Sequence, residues 1–322
     1  MTFRAYTLHD PHLRDASLQQ EVLAGLSAPR KSLPPKLFYD SRGSELFEQI
    51  CRLPEYYPTR TEMQIMRDAA PDMATRVGKR SALIEYGSGS GLKTRVLLDA
   101  LQPVAYIPID IAAEQLTRAA AQVAQAFPGV EVIAVCADYT QPLQLPALDG
   151  MDVCRRAVYF SGSTIGNFTP DEAVSFLRRA QALVRAGGAM LIGVDLKKDA
   201  AVLHAAYNDA QGVTAAFNLN LLQRLNRELR ADFDVSAFAH EAFYNADAGR
   251  IEMHLASRRK QDVTVAGRHF HFEAGETIHT ENSYKYSIEE FHVLVRRAGF
   301  SPQHCWTDAA SRFSVHYLVA DA

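Results

Sequence analysis

A glycine-rich segment in the first third of the chain has the residue types of a ligand-binding loop. Glu85-Tyr86-Gly87-Ser88-Gly89-Ser90-Gly91 follows a short apolar run and precedes a helical pattern. Glycines at alternate positions let the backbone turn sharply and approach a ligand, and the first turn of a helix offers unpaired N–H groups. We therefore predict that a ligand with a carboxylate or a phosphate binds here. The spacing is not the G-x-G-x-x-G of dinucleotide-binding proteins, which disfavours a dehydrogenase.

Carboxylates end the next two apolar runs, where a parallel sheet binds its ligands. Asp110 ends the first run and is placed to accept hydrogen bonds from ribose hydroxyls. Asp138 and Tyr139 end the second run, and an acceptor beside an aromatic ring suits the amino group and the face of an adenine. Each has a structural alternative, because Asp110 can cap the following helix and Asp138-Tyr139 can form a turn before Pro142. The three sites together favour a nucleoside ligand.

Two further polar segments are candidates for binding a second ligand. Phe160-Ser161-Gly162-Ser163-Thr164-Ile165-Gly166-Asn167-Phe168 follows a predicted strand, so it lies at the same edge of the sheet as the glycine-rich segment. In Thr280-Glu281-Asn282-Ser283, the two-residue period of an extended chain places Glu281 and Ser283 on one face. The alternative for Glu281 is a solvated strand residue.

A pair of histidines has the spacing of possible metal ligands. His269 and His271 share one face if their segment is a strand. Two ligands without a nearby third are usually surface residues, so we predict no metal site.

The elements that must position these residues begin at Ser81, where short apolar runs alternate with helical patterns. This alternation is typical of a parallel sheet covered by helices on both faces. The predicted strands are Ala82–Tyr86, Ala105–Asp110, Glu131–Ala137, Arg156–Phe160 and Met190–Asp195. The predicted helices are Leu92–Leu101, Ala112–Phe127 and Asp171–Val184.

The alternation stops after Asp195, which predicts a second, α+β domain. We predict one long helical segment, Ala200–Leu229, followed by an antiparallel meander. The strands of this meander are Ala237–Tyr244, Ile251–Ser257, Asp262–Val265 and His269–Glu273. A helix at Ile288–Ala298 and a strand at Phe313–Val319 complete the sheet domain. The predicted domains are then residues 62–196 with 286–322, and residues 1–61 with 197–285.

Composition narrows the class of protein. The chain has 322 residues, of which 48% are hydrophobic and 22% charged, with a net charge of -3. A chain of this length suits two domains, and the charge balance disfavours nucleic acid as a partner. Its four cysteines lack CxxC spacing, and no segment has the pattern of a signal peptide or a membrane span. We therefore expect a soluble, cytoplasmic monomer.

A glycine pair late in the sheet region carries the first resemblance to known proteins. Leu183-Val184-Arg185-Ala186-Gly187-Gly188-Ala189-Met190-Leu191-Ile192 is a helix end that leads into a buried strand. With the acidic glycine-rich segment, it resembles the motifs of class I methyltransferases, although the glycines could also serve only as a helix C-cap. This resemblance implies a Rossmann-like α/β sheet and S-adenosylmethionine as cofactor. The expected cofactor-binding residues are Glu85, Gly87, Gly89, Lys93, Asp110, Asp138 and Tyr139.

Further segments give a more specific resemblance, which covers nearly the whole chain. The asparagine-containing segment 160–168 is joined by 38–44 (FYDSRGS), 55–62 (EYYPTRTE), 207–218 (YNDAQGVTAAFN) and 251–253 (IEM). Together they resemble the histidine-specific α-N-methyltransferases of ergothioneine biosynthesis. The resemblance implies methylation of the α-amino group of free L-histidine, up to three times, which gives the trimethylated product hercynine.

This second resemblance also implies roles for individual residues. Asn167 and Tyr207 match the residues that hold the substrate carboxylate, while Glu281 and Ser283 match the pair that holds the imidazole. Met253 matches a residue that packs on the ring, although it could equally be plain core. Asn282 departs from the family pattern, because an aliphatic residue is expected there, and this leaves the local packing open.

Two tyrosines complete the predicted substrate site. By the same resemblance, Tyr39 and Tyr56 line the side of the amine and the methyl donor, although each could be a half-buried aromatic residue. Tyr39 is our candidate catalytic residue, which accepts the amine proton directly or through water. The rival functions are methylation of another aromatic amino acid and a non-catalytic sensor that binds S-adenosylmethionine.

Overall fold

The computed structural model describes residues 7–9, 16–88, 91–148 and 150–322, which divide into two units. The first unit comprises Pro58–Lys197 and Tyr286–Ala322 with an N-terminal strand, and the second comprises Lys198–Lys285 with the chain that ends at Tyr57. Among the described residues, no helix combines the length and the apolar character that a membrane span requires.

Eight strands form the sheet of the first unit. They are β1 (Thr7–His9), β2 (Ser81–Tyr86), β3 (Ala105–Asp110), β4 (Glu131–Cys136), β5 (Arg155–Phe160), β6 (Ala189–Asp195), β12 (Phe300–Thr307) and β13 (Phe313–Ala320). Their order is β1-β4-β3-β2-β5-β6-β13-β12. The first six strands in this order are parallel, and β13 runs antiparallel to both of its neighbours. The predicted largely parallel α/β sheet is therefore confirmed.

Helices cover both faces of this sheet. They are α3 (Tyr57–Val77), α4 (Leu92–Leu101), α5 (Ala113–Ala126), α6 (Pro170–Val184) and α9 (Ile288–Arg297). The apolar faces of α3, α4 and α5 form one core with alternate strand residues such as Leu83 and Tyr159. On the other face, the α6 residue Phe176 lies 4.8 Å from the ring of Phe160. This alternation is why the central strands are buried from end to end.

The strands and helices predicted between Ser81 and Asp195 are all present, with ends that differ by at most one residue. Strand β1 of this unit was not predicted, and neither were two further elements. Helix α3 contains Pro71, and a proline obscures a helical pattern. Strand β12 lies at the edge of the sheet, contains Pro302 and is only half-buried, so it lacks the continuous apolar run of the central strands.

Helices and two small antiparallel sheets form the second unit. The helices are α1 (Ala16–Ser27), α2 (Ser41–Ile50), α7 (Ala200–Tyr207) and α8 (Val213–Glu228). The strands are β7 (Phe238–Asn245), β8 (Arg250–Ser257), β9 (Gln261–Val265), β10 (Arg268–Phe272) and β11 (Thr277–Tyr284). One sheet has the order β11-β8-β7, and β9 pairs with β10 in a separate hairpin.

Two predictions for this unit need correction. The predicted helix Ala200–Leu229 is two helices, because α7 ends at Tyr207 and the chain resumes a helix only after Gly212, which has a left-handed φ of +70°. Asp209 then caps the second helix, accepting from the backbone N–H groups of Val213 at 2.9 Å and Thr214 at 2.8 Å. The predicted four-strand meander is two hairpins in different sheets, because β11 takes the second edge of β8.

Replacing Asp209 with alanine is expected to lower the free energy of unfolding by about 1–2 kcal/mol, because two helix N–H groups lose a buried acceptor. Urea denaturation would measure the change. Asp199→Ala is the matched control, since Asp199 is exposed and caps α7 through one bond, to Ala201 at 2.7 Å. An equal loss in both variants would contradict the special role of the buried cap.

Candidate active site

The carboxyl ends of β2, β3 and β4 bring several of the predicted cofactor residues together in the first unit. Gly87 follows β2 with φ +71°, and its N–H donates to the carbonyl of Ile109 in β3 at 2.9 Å. A Cβ at Gly87 would lie 3.8 Å from the ring of Tyr139, which follows β4. Asp110 lies at the end of β3, between these two positions. Gly89 lies outside the described residues.

The two strand-end aspartates also make the local bonds that their structural alternatives require. Asp110 accepts from the backbone N–H of Ala112 at 3.0 Å, just before α5. Asp138 accepts from the backbone N–H of Thr140 at 2.9 Å and from its hydroxyl at 2.5 Å. Both side chains remain half-buried. These bonds fix the orientation of the carboxylates, which remain acceptors toward this edge of the sheet.

Aromatic rings back the Asp138 position. Tyr139 stacks on Tyr86 with ring centroids 5.4 Å apart, and Phe160 lies edge-on to it at 5.8 Å. Burial raises the pKa of Tyr139 well above its usual value, so the phenol stays neutral. The cluster offers a flat apolar wall beside a carboxylate, as the sequence predicted for an adenine site.

Glu85 lies at the same strand end but its carboxyl is enclosed by the unit. It is 2% exposed and accepts hydrogen bonds from the hydroxyls of Thr94 in α4 and Tyr106 in β3. Burial raises the pKa of Glu85 to about 7, against the opposing effect of these two bonds. In this structure Glu85 joins β2, β3 and α4 beneath the glycine-rich segment, and its contact with a cofactor stays a prediction.

Lys93 has a partner that sequence reasoning missed. Its ammonium forms an ion pair with Glu62 of α3, which is fully buried. Glu62 also accepts from the backbone N–H of Gly162 at 2.9 Å. Gly193 in β6 makes room for this carboxylate, because a Cβ there would lie 2.3 Å from Glu62 Oε1. Glu62 thus connects α3, α4 and the segment after β5. Nothing in the sequence indicated this role, because a single acid in a helix is usually a surface residue.

Asn167 is placed by a short helix in the polar segment after β5. This 3-10 helix spans Thr164–Asn167, and Asn167 is half-buried. The segment is fixed to β6 because the hydroxyl of Ser163 accepts from the backbone N–H of Asp195 at 2.8 Å. Asn167 belongs to the first unit, and its predicted pairing with Tyr207 of the second unit stays a prediction.

In the second unit, a β-bulge determines which face of the sheet carries the predicted imidazole-binding residues. His279 pairs with His254, but the register shifts at Thr280, so that Glu281 pairs with Met253. Directly paired residues of antiparallel strands point to the same face, so Glu281 and Met253 share one face, and Ser283 follows on it. The structure therefore brings together the three residues that the resemblance assigns to the ring.

The bulge is held by buried polar side chains. The Thr280 hydroxyl donates to Asn218 Oδ1 at 2.8 Å, and Asn218 Nδ2 donates to the carbonyl of His254 at 2.9 Å. The same Asn218 Nδ2 lies 2.9 Å from His240 Nδ1, and His240 Nε2 donates to the carbonyl of Tyr207. Asn218 of α8 is fully buried and so connects the helix layer to β7, β8 and β11.

A buried lysine beside the predicted substrate residues was not foreseen. Lys285 is 2% exposed and donates to Ser283 Oγ at 2.8 Å and to the Tyr207 hydroxyl at 3.2 Å. Tyr207 in turn donates to Ser283 Oγ at 2.7 Å. Lys285 follows Ser283 by two residues, so the same period that relates Glu281 to Ser283 could have identified it.

The predicted tyrosines belong to a row of aromatic rings. Tyr39 lies edge-on to Phe47 at 5.7 Å, Phe47 to Tyr56 at 6.3 Å, and Tyr56 to Tyr207 at 6.4 Å. Burial raises the pKa of Tyr56 well above its usual value, and the nearby Tyr207 and Glu281 contribute. Tyr56 is therefore a neutral phenol, and the row offers ring faces and edges to a ligand.

Glu281 has a perturbed carboxyl. Burial raises its pKa to about 7, and the positive charge of Lys285 opposes the rise. The group can therefore change protonation near neutral pH, which is a property of many binding and catalytic sites.

The opposite face of the same sheet carries a second polar cluster. Glu252, His254 and His279 could be grouped as metal ligands. However, Glu252 already accepts from Arg250 and from Asn245 at 2.9 Å, and these partners lower its pKa to about 2 against the opposing effect of burial. Its carboxylate is thus committed to an internal network.

The histidine pair of the sequence analysis lies on the hairpin of β9 and β10. His271 is exposed and pairs with Asp262 at 2.8 Å and Glu273 at 2.9 Å, whereas His269 contacts Thr264 at 3.2 Å. The two imidazoles therefore have separate partners, as surface residues do.

Comparison with known proteins identifies relatives over almost the entire chain. A family model described as “Histidine-specific methyltransferase, SAM-dependent” matches residues 18–320. The chain is 46% identical to a Histidine N-alpha-methyltransferase of Mycolicibacterium smegmatis, over 94% of this chain and 95% of the relative. It is 43% identical to the Mycobacterium tuberculosis protein of the same name, over 93% and 94%. The Ergothioneine biosynthesis protein 1 of Neurospora crassa is 32% identical over 90% of this chain but 33% of its own length.

Replacing Glu281 with glutamine is expected to stabilise the ligand-free protein as the pH rises. The folded pKa of about 7 lies above the unfolded value of 4.5, so protonated Glu281 adds stability below pH 4.5 that is lost as the pH rises through 7. Glutamine has no charge to bury, so relative to wild type it should gain about 2 kcal/mol between pH 5 and pH 8 in urea denaturation.

Glu276→Gln is the control for this experiment. Burial raises the pKa of Glu276, but the bonds to Lys31 and to the backbone N–H of Glu273 together outweigh burial, so the pKa is lowered. The stability that ionised Glu276 contributes is therefore lost only as the pH falls below 4.5. Its variant should show no gain between pH 5 and pH 8. A flat difference for Glu281→Gln over the same range would contradict the perturbed carboxyl.

Proposed function

Because the chain belongs to the family of histidine-specific, S-adenosylmethionine-dependent methyltransferases, we propose that it methylates the α-amino nitrogen of free L-histidine. The observation that carries this proposal is the shared face of Glu281, Met253 and Ser283 in the second unit. Two relatives that match over more than 90% of both chains are named for this activity.

The residues of the first unit fit the cofactor in their chemistry. The carboxylates of Asp110 and Asp138 are acceptors, which suits ribose hydroxyls and an adenine amino group, and Tyr139 offers a ring face. Gly87 has no Cβ between its strand end and that ring. Lys93 would bind the carboxylate of the cofactor, and Gly89 belongs to the same proposed set. S-adenosylmethionine, when bound, supplies a methyl group activated by its sulfonium sulfur.

The residues of the second unit fit histidine. Glu281 can accept from one ring nitrogen and Ser283 can contact the other, while the buried side chain of Met253 packs on the ring. Asn167 and Tyr207 hold the substrate carboxylate. Because an amide and a phenol are neutral, this arrangement adds no unpaired positive charge close to a cationic cofactor. Clamping both ends of the substrate fixes the direction of its amine, and such positioning supplies much of the rate enhancement of a bimolecular transfer.

The chain must also help the amine to lose a proton. Amino groups have pKa values near 8 or above, so most of the substrate is protonated at neutral pH and cannot attack. Tyr39, edge-on to Phe47 in the aromatic row, accepts this proton on its hydroxyl oxygen, directly or through a water molecule, and passes its own hydrogen to solvent, so that it remains a neutral phenol. Tyr56 stays protonated, because burial raises its pKa, and it forms part of the wall around the amine.

The aromatic row also favours repeated transfer. A methylated amine remains cationic, and a quaternary ammonium is attracted to the faces of tyrosine and phenylalanine rings. Tyr39, Phe47 and Tyr56 provide such faces without a rigid cage of donors and acceptors. We therefore extend the proposal to three successive transfers, which give hercynine, the trimethylated histidine from which ergothioneine is made.

Incubation with S-adenosylmethionine and free L-histidine is expected to yield histidine with one, two and three added methyl groups in mass spectrometry, with the trimethylated form accumulating at long times. Parallel reactions with tryptophan and tyrosine, and one without the methyl donor, are the controls. Methylation of tryptophan or tyrosine but not histidine would reassign the substrate, and a series that ends at one methyl group would remove the trimethylation step.

Glu281→Ala is expected to weaken histidine binding about 10- to 100-fold, because the ring loses a hydrogen bond to a charged acceptor. The measurement is calorimetric titration of protein saturated with S-adenosylhomocysteine. Glu241→Ala is the matched control, since Glu241 is exposed on β7 of the same sheet. Unchanged histidine affinity in Glu281→Ala would remove Glu281 from the substrate site while leaving the cofactor assignment intact.

A further inference from the structure

Lys285 holds a charge in the interior of the second unit, and this charge is costly to bury without partners. Its ammonium donates to Ser283 Oγ at 2.8 Å and to the Tyr207 hydroxyl at 3.2 Å, and it lies 5.1 Å from the centroid of the Tyr207 ring. Its charge also acts on the Glu281 carboxyl. A lysine with these contacts sets the electrostatic environment of the predicted ring-binding pair.

The hydrogen bonds of Ser283 have a defined direction. A hydroxyl has one hydrogen to donate and two lone pairs that accept. Lys285 can only donate, and a phenol is a stronger donor than an aliphatic hydroxyl, so Tyr207 also donates to Ser283 Oγ, at 2.7 Å. In the ligand-free protein both lone pairs of Ser283 are then occupied. When Tyr207 donates its single hydrogen to the substrate carboxylate instead, Lys285 still occupies one lone pair of Ser283, and the adjacent ammonium favours the Ser283 hydrogen as the part of this group that faces a ligand.

We propose that Lys285 is a specificity-determining residue, which favours Ser283 as a hydrogen-bond donor so that Ser283 and Glu281 together select a neutral imidazole ring. A neutral imidazole has one N–H donor and one bare nitrogen acceptor, which match the Glu281 carboxylate and the Ser283 hydroxyl. An imidazolium has two donors, so one of them would face the Ser283 hydrogen. The inference rests on the proposed function, because it specifies how that same site reads its substrate.

The charge of Lys285 favours a neutral ring, as its hydrogen bonds do, since the charge repels a cationic ring. The titratable groups near it or near its partners are Glu281 four residues earlier, Tyr207 of α7, Tyr56 before α3, and His240 of β7, which donates to the Tyr207 carbonyl. Burial raises the pKa of Tyr56 and lowers the pKa of His240, which favours the neutral form of both groups. Glu281, with a pKa of about 7, titrates between pH 6 and pH 8, so the experiment must cancel its contribution.

The test compares two ligands at pH 6 and pH 8 by calorimetry, with protein saturated with S-adenosylhomocysteine. One ligand is L-histidine, and the other is β-(1,2,4-triazol-3-yl)alanine, whose ring stays neutral at both values. Because Glu281 and the α-amino group affect both ligands, the ratio of their dissociation constants isolates protonation of the imidazole. In wild type, this ratio should rise about fourfold from pH 8 to pH 6, as a ring with a pKa near 6.5 becomes charged.

The variants then separate specificity from general support of the fold. Lys285→Met should reduce the rise to less than twofold, while Lys285→Arg, which keeps the charge and the donors, should restore it. Ser283→Ala removes the donor itself and should also flatten the ratio, and it decides the question if Lys285→Met does not fold. A purely structural lysine would weaken both ligands equally and leave the fourfold rise unchanged, which would overturn the proposal.

Wild type itself provides the remaining outcomes. A ratio that does not change with pH in wild type would also overturn the proposal, because the site would then accept the charged ring. Wild-type protein that binds no histidine at either pH would instead contradict the proposed function.

Discussion

The side of the sheet on which Glu281 lies depends on a single extra residue in β11. Without the bulge at Thr280, the pairing of His279 with His254 would continue to Glu281 with Glu252, and Glu281 would join the face of the Arg250 network. A slip of one residue exchanges the two faces of a strand, so the bulge is what places Glu281 beside Met253. Thr280 is held there by Asn218, whose burial makes any loss of these bonds costly. The position of the predicted ring-binding residues therefore depends on Asn218, a side chain of α8.

The first unit follows a different constraint, because parallel strands all end at one edge. Gly87, Asp110 and Tyr139 meet there as a consequence of strand order, without special local geometry beyond the turn at Gly87. The acids at this edge differ in environment. Asp110 is half-buried and bonded to the backbone, whereas Glu85 is enclosed and has a pKa of about 7. Two acids at neighbouring strand ends thus differ in burial and in pKa, and only Asp110 is exposed enough to be proposed as a ligand contact.

The sequence predicted the elements that leave a local pattern and missed those that depend on backbone geometry or long-range pairing. The α/β sheet was predictable because buried parallel strands are continuous apolar runs, and helix α4 and strand β3 have their predicted ends. The break between Tyr207 and Val213 was missed because the apolar pattern continues on both sides, and only backbone geometry distinguishes one helix from two. The pairing of β8 with β11 is a long-range choice that periodicity does not contain. Likewise, the shared face of Glu281 and Ser283 was predictable from a period of two, but which face it was depended on the bulge.

The buried charge of Lys285, which was not predicted, must be reconciled with the proposed binding of the substrate carboxylate in the second unit. A neutral amide and a phenol suit the proposed binding of the substrate carboxylate beside a cationic cofactor because they add no positive charge, and a lysine in the same unit conflicts with that logic. The conflict disappears when Lys285 is considered together with Glu281, because an ionised pair of the two adds no net charge. The hydroxyls of Tyr207 and Ser283 accept hydrogen bonds from the ammonium, and both hydroxyls belong to the predicted substrate site. A buried ammonium is costly without such partners, and its proposed value lies in fixing the direction of these hydrogen bonds.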